Sequence, residues 1–286
     1  MPYSYQSLSD CLKAAGIPPS DAGEEALLLL EAFGGASRVA CLCDRHQTYD
    51  TPALREAVEK RLTRYPLQYI LGSWDFFGCR FSVNEHCLIP RPDTEVLVEA
   101  AIKAIPRDGV FLDLCTGSGC IAIAILAHRP DLRAVALELY PDTLALAVRN
   151  AEMNGVGPRF IPVCTDLLGA GREALSPYAP FCALVSNPPY IPKSVVDGLA
   201  PELFFEPRAA LDGGEDGLVF YRKILSDYPS LLSPQAPILL EMGYDQGEAL
   251  LNLGNTYLPH GEGHILSDLG GQPRVAVFRN QREPDI

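Results

Sequence analysis

The sequence predicts an α/β domain built on a mostly parallel sheet with an antiparallel edge, preceded by a small helical-bundle domain. Three observations carry that reading. From residue 95 onward, short aliphatic runs alternate with helix-length amphipathic runs, the pattern of a parallel sheet covered on both faces. The first such run meets its helix through a glycine turn, "DLCTGSGCIA". Before residue 74 the apolar spacing is helical instead, with few internal glycines or prolines.

In chain order, Asp21 and Glu24 read as a capping box ahead of "ALLLLEAF". Thr51 followed by Pro52 reads as a cap and first-turn pair that opens "ALREAVEKRLTR". Phe76, Phe77, Phe81 and Val83 then predict a short hairpin or extended linker. The boundary is placed at Trp74, giving domains 1–73 and 74–286. Beyond it come helix "TEVLVEAAIKAI", strand "VFLDLC", helix "GCIAIAILAH", strand "RAVALEL" and helix "DTLALAVRNAEMNG". Strands "RFIPVCTDL" and "CALVSN", helix "GLVFYRKILSDY" and strand "PILLEM" follow. The last runs, "GHILSDL" and "RVAVFR", are close enough to pair antiparallel at one edge, making seven strands.

Composition excludes several classes. A formal charge of -13 offers phosphate backbones no long-range attraction, so a protein or small molecule is the better default partner. The cysteines at 11, 41, 43, 79, 87, 115, 120, 164 and 182 are scattered and form no CxxC pair, which reads as reduced, mostly buried thiols. His260 and His264 are separated by two glycines that argue against a shared helix face, so no metal is expected. The N-terminus carries no basic stretch ahead of an apolar core, so no signal peptide is expected. "CIAIAILA" is too short to span a bilayer.

The glycine turn points to a nucleotide-type crevice. Gly117 and Gly119 let backbone approach a ligand, and Glu138, about 20 residues on, ends the next strand where an acid can take two ribose hydroxyls. Asp166 closes the third strand. Gly117, Gly119 and Ala122 also fit GxGxxA, so a dinucleotide dehydrogenase stays open, whereas a P-loop is excluded because GxxxxGK[ST] is absent. Asp113, before the glycines, disfavours an adjacent pyrophosphate and suits an amino group or cation. One carboxylate there and one on the ribose describe S-adenosyl-L-methionine.

"SNPPY" ends the fourth strand beside the same crevice. An amide nitrogen is a weak nucleophile, and two acceptors are needed to aim its lone pair. The Asn187 side-chain carbonyl and the Pro188 main-chain carbonyl are candidates, because Pro189 holds Pro188 extended. Tyr190 offers a flat face to a planar group.

"SNPPY" with "DLCTGSG" resembles the amino-methylating class I methyltransferases, a group that includes N6-adenine enzymes. Taken with "PLQYILGSWDFFG", "LIPRPDTEVLVE", "EPRAALDGGEDGLVFYRKI" and "LLEMGYDQG", the chain resembles the PrmC/HemK family over nearly its whole length. That resemblance implies a Rossmann-like fold and methyl transfer from S-adenosyl-L-methionine to the GGQ-loop glutamine of peptide chain release factors. S-adenosyl-L-homocysteine is the implied product. It implies a donor site at Asp113, Thr116, Gly117, Ser118, Gly119, Glu138, Asp166, Leu167 and Asn187, with Asn187, Pro188, Pro189 and Tyr190 on the glutamine. "RPDT" would pack over the donor site, with Arg91 near its rim. The helical domain is expected to clamp the release factor, and the protein to act as a cytoplasmic monomer with no nucleic acid or membrane as direct partner.

Three positions depart from the family pattern. Cys115 stands where glycine is usual, and Glu138 and Cys182 where aspartate is usual. The chain's own "GGQ", Gly270 to Gln272, reads as a hairpin turn rather than a substrate.

Overall fold

Residues 2–258 and 263–280 are described by the structure, a computed structural model. His260 lies outside them. Clustering of the chain gives two compact units, Met1–Ser73 with Ala200–Phe205, and Trp74–Leu199 with Glu206–Ile286.

The first unit is helical. A two-residue strand, β1 (Tyr3–Ser4), runs into α1 (Tyr5–Ala14), whose cap is reciprocal: Ser7 N donates to Ser4 Oγ at 3.2 Å and Ser4 N to Ser7 Oγ at 2.8 Å. Next come α2 (Pro19–Gly34), α3 (Arg38–Cys43), β2 (Thr48–Tyr49), α4 (Pro52–Leu62) and α5 (Leu67–Leu71). Strand β2 pairs antiparallel with β1. The core is Leu8, Leu12, Leu29, Leu30, Leu54 and Val58, all fully buried. Thr51 Oγ1 accepts from Leu54 N at 3.0 Å, as its sequence position predicts. The predicted capping box at Asp21 and Glu24 does not form. Helix α2 begins earlier, at Pro19, whose fixed φ suits a first helical position, and Pro18 supplies no side-chain cap. Glu24 instead pairs with Arg38.

A hairpin, β3 (Ser73–Phe76) and β4 (Cys79–Ser82), starts at the last residue of the first stretch and runs into the second unit, followed by α6 (Glu95–Ala104). The alternating part is β5 (Val110–Leu114), α7 (Cys120–His128), β6 (Arg133–Glu138), α8 (Pro141–Met153) and β7 (Phe160–Cys164). After the short helix α9 (Gly171–Leu175) come β8 (Ala183–Ser186), the one-turn helix α10 (Lys193–Val196), α11 (Val219–Asp227) and β9 (Pro237–Glu241). Helix α12 (Gly247–Tyr257) and the hairpin β10 (His264–Ser267) and β11 (Pro273–Arg279) complete it. The seven-stranded sheet has the order β10-β11-β9-β8-β5-β6-β7. It is parallel from β9 to β7, and β11 pairs antiparallel with both β9 and β10.

Alternation along the strands sets the two faces. Leu112, Leu114, Val135, Leu137, Ile238 and Leu240 share one core with Ile224, Leu225 and Leu250 of α11 and α12. Helices α6, α7 and α8 cover the other face. Chain order reverses at β5, which lies between β6 and β8, so a crevice opens beyond its carboxyl end. Register brings Leu114 opposite both Leu137 and Ser186, and Ser186 opposite Leu240. Glu138, Asn187 and Glu241, one residue further on, therefore line up along one rim. Among the described residues no helix is long and apolar enough to cross a membrane.

Candidate active site

The turn after β5 is built from left-handed residues: Cys115 at φ 59°, Gly117 at 57° and Gly119 at 82°. The two glycines serve different ends. A Cβ on Gly119 would meet Ile123 Cδ1 at 2.8 Å and Ala147 Cβ at 3.2 Å, so this glycine lets α7 and α8 approach. A Cβ on Gly117 would meet nothing within 4 Å. Its backbone faces open space, as close approach by a ligand requires.

Glu138 fixes that turn. Its Oε2 accepts from Gly117 N at 3.0 Å, and its Oε1 accepts from Leu139 N at 2.9 Å and Tyr140 N at 3.2 Å. Burial raises its pKa, against these three donors that favour the charged form. Asp113, fully buried, accepts from Thr116 Oγ1 at 2.6 Å, and burial pushes its carboxyl up to about 7.

One cavity collects most of the predicted donor residues. Thr116, Gly117, Ser118 and Glu138 line it on one side, and Asp166, Leu167 and Asn187 on the others. Pro189 reaches it, as do Arg91 and Thr94 of the "RPDT" segment. Asp113, Gly119, Pro188 and Tyr190 do not line it. Asp113 sits one layer back and touches the site through Thr116. Asp166 lies two residues beyond the end of β7 rather than on it, and its Oδ1 accepts from Leu168 N at 2.8 Å.

Asn187 follows β8 directly. Ser186, the last strand residue, donates from Oγ to Leu114 O at 2.6 Å, which locks the two strand ends together. Asn187 Nδ2 lies 3.4 Å from Thr94 Oγ1. Pro188 and Pro189 are buried and Tyr190 is partly so. Burial pushes the Tyr190 phenol up to about 12, so it stays neutral at physiological pH.

Residues 5–72 match the PrmC N-terminal domain, and residues 92–234 match the methyltransferase small domain. The release factor glutamine methyltransferase of Geobacter sulfurreducens is 41% identical over 239 residues, 79% of this chain and 78% of that protein. That of Rhodospirillum rubrum is 37% identical over 278 residues, covering 94% and 82%. The chain belongs to the release factor glutamine methyltransferase family. A methyltransferase from Pyrococcus furiosus, 15% identical, superposes with a TM-score of 0.52 over 72% of this chain and 91% of that one, which shows the shared fold.

The three positions that the sequence marks as departures each have a definite place in the structure. Cys115 occupies a left-handed position where glycine costs nothing and a side chain costs about 1 kcal/mol. Glu138 uses its longer arm to reach Gly117 N. Cys182 packs where a Cβ on Gly109 would meet its Sγ at 2.4 Å, at the opposite end of the strand from Asn187.

Other supports escaped the sequence reading. Asn150 on α8, fully buried, donates to Ser118 O at 2.9 Å and Ser82 O at 3.1 Å, and accepts from Ser82 N at 2.8 Å. It ties the glycine turn to the hairpin. Gln246 donates to Tyr190 O at 3.0 Å and to Gly217 O at 3.3 Å. A Cβ on Gly213 would meet Tyr190 Cα at 2.7 Å, and one on Gly217 would meet Tyr190 O at 2.3 Å. "ALDGGEDGL", which drew notice only as a family motif, is thus the seat of the Tyr190 segment. Glu206 accepts from Ile89 N at 3.0 Å and pairs with Arg91, holding the "IPRP" wall of the cavity.

Proposed function

We propose that this chain transfers a methyl group from S-adenosyl-L-methionine to the side-chain amide nitrogen (N5) of the GGQ-loop glutamine of a peptide chain release factor. The observation that carries the reading is Asn187, at the end of β8, on the rim of the cavity that Glu138 and the glycine turn also line. The residues present fit the donor. Glu138 keeps free lone pairs beside three anchored N–H groups, suited to two ribose hydroxyls. Gly117 leaves room for close approach, and Asp166 and Leu167 are in reach of a base. When bound, S-adenosyl-L-methionine supplies a methyl group on a positively charged sulfonium.

The protein's own part is orientation. The Asn187 side-chain carbonyl and the Pro188 main-chain carbonyl accept the two N–H bonds of the glutamine amide, so its nitrogen lone pair is turned toward the donor. Tyr190 flanks the amide plane. Gln246, Gly213 and Gly217 fix the segment, so little reorganisation is left at reaction. The transition state has more positive charge on the amide nitrogen, and carbonyl dipoles favour it.

The helical unit is read as the contact for the release factor's body, since one glutamine side chain offers too little surface for selection. The charge of -13 supports a protein substrate over nucleic acid. The enzyme is read as a cytoplasmic monomer without a membrane partner.

The test offers labelled S-adenosyl-L-methionine with a release factor, its Gln-to-Ala loop variant, and duplex DNA. Label is expected on the intact factor alone. Label on DNA, or undiminished label on the loop variant, overturns the reading. Asn187→Ala is expected to abolish transfer and keep donor affinity.

A further inference from the structure

Glu241 closes β9, the strand next to β8, and is 2% exposed. A carboxyl group that deep in an apolar sheet costs several kcal/mol unless something holds it, and no role above uses it. Its Oε2 makes no hydrogen bond. Groups from five neighbouring elements face it, the Cys120 thiol of α7 among them. Arg274 on β11 favours its charge but is already engaged with Asp93 at 3.1 Å and Asp268 at 3.2 Å. Asp93 opposes its charge from the turn before α6. Tyr190 and Tyr221 sense it from the segment after β8 and from α11, and Tyr221 donates to its main-chain oxygen at 2.7 Å. Two neutral side chains, Thr94 and Asn187, stand beside its carboxyl and favour the ionised form, and strand register sets Asn187 and Glu241 side by side, one residue past the paired Ser186 and Leu240.

The chemistry of these last three groups fixes a direction. A carboxylate can only accept. Thr94 has one hydroxyl proton, and once that proton points at Glu241, Oγ1 can only accept. Asn187 Nδ2, 3.4 Å from Oγ1, is the donor that completes the chain. That distance is at the long end for a hydrogen bond, as catalytic contacts commonly are before a substrate complex tightens them. An asparagine amide left to itself presents either end almost equally well. Here one end is chosen: NH2 toward Thr94, which leaves Oδ1 for the cavity that Asn187 lines.

We propose that Glu241 is a positioning residue for methyl transfer, which through Thr94 holds Asn187 with its carbonyl oxygen turned to the acceptor amide. The inference rests on the reading of Asn187 as one half of the carbonyl clamp. A flipped Asn187 would set its own N–H groups against those of the glutamine, and the lone pair would no longer be aimed. Burial pushes Glu241 up to about 7. Protonated, it becomes a donor and can reverse the chain, so turnover depends on its ionisation. Asp113 titrates in the same range, but it contacts the donor loop, so its effect falls on donor affinity rather than on turnover at saturation.

The full-length enzyme tests this with Glu241→Gln, which keeps shape and adds a donor, Thr94→Val, the double variant, and Thr94→Ser. Methylation of release factor at saturating S-adenosyl-L-methionine gives kcat, and calorimetry gives donor Kd. Glu241→Gln is expected to lower kcat about 10–100-fold, the range for lost outer support of a reacting group, with donor Kd unchanged. The wild-type fall in kcat below about pH 7 should vanish in it. The double variant should be no worse than its worse single parent, and Thr94→Ser should keep most activity. Wild-type kcat in Glu241→Gln, losses that multiply, or donor affinity falling in step with kcat would overturn the inference. An inactive Asn187→Ala beside a fully active Glu241→Gln sinks this inference alone, whereas a fully active Asn187→Ala sinks the clamp itself.

Discussion

The glycine-turn half of the site and the Asn187 half sit beyond the carboxyl ends of the same parallel sheet, yet they are built from opposite materials. Around the glycine turn, charge stands at the surface of the cavity, with Glu138 pinned by three main-chain N–H groups. Around Asn187, the cavity meets an amide and a proline, and the buried carboxyl group of Glu241 on the neighbouring strand does not line it. On the roles proposed for them, a positively charged donor would be met by charge, and a neutral amide by neutral dipoles whose direction a charge sets at one remove.

The sharpest way to break that contrast is to move the Asn187 half alone. Gly217→Ala puts a Cβ 2.3 Å from Tyr190 O, on a backbone at φ +73°. A displacement of about 1 Å in a reacting group costs on the order of 100-fold, so kcat should fall that far while calorimetric donor Kd holds. Loss of donor binding in step would show that the two halves are mechanically one. The converse variant is Glu138→Gln. It keeps the shape but turns an NH2 toward one main-chain N–H, and the lost charged hydrogen bonds predict a Kd for S-adenosyl-L-methionine about 10–30-fold weaker. Saturating donor should restore kcat.

A third test uses pH. Asp113 titrates near 7 in the folded protein, above the unfolded value of about 3.9. Folding therefore favours its protonated form. The stability this gives is complete below about pH 4 and is lost as pH rises toward 7. Asp113→Asn cannot titrate, so the drop in melting temperature from pH 5 to pH 7.5 should shrink by several degrees. Glu241 titrates in the same sense and keeps part of the drop. An unchanged drop would mean that Asp113 is already ionised. The smallest effect is expected at Cys115→Gly. Relief of the left-handed strain is worth about 1 kcal/mol, and loss of a half-buried thiol and added chain entropy offset about as much. Melting temperature and donor Kd should both stay near wild type.

What the sequence disclosed depended on where each residue's partners lie. The sheet was legible because its strands are unbroken apolar runs closed by turn residues. The two rims were legible because Gly117 and the prolines after Asn187 disturb local patterns. Asn150 was not, since one asparagine on an amphipathic helix resembles solvent-facing polarity. Its partners are main-chain groups 32 and 68 positions away. Glu241 was hidden the same way, as the last letter of "PILLE". Helix α12 was missed because Gly247 and Gly254 weaken its helical signal. The Gly254 Cα is needed against Phe278, whose Cε1 lies 2.2 Å from where a Cβ would stand. The misplaced capping box shows proline geometry at Pro18 and Pro19 overriding a side-chain pattern.

The six residues Ala200–Phe205 give the chain an unusual ancestry problem. They belong to the helical unit but are encoded deep within the other one. Arg61, with its side chain 4% exposed, is shared between Glu25 at 2.6 Å and Glu202 at 3.1 Å, and Arg64 holds the same Glu202 at 2.6 Å. A recombination crossover at residue 73 would look clean on paper. It would still part both arginines from Glu202, leaving Arg61 with Glu25 and removing the paired contacts that Arg64 makes. The two units are therefore linked loci. A donor of the helical module must bring residues 200–205 with it, and a chimaera that inherits only one piece starts with a mismatched lock.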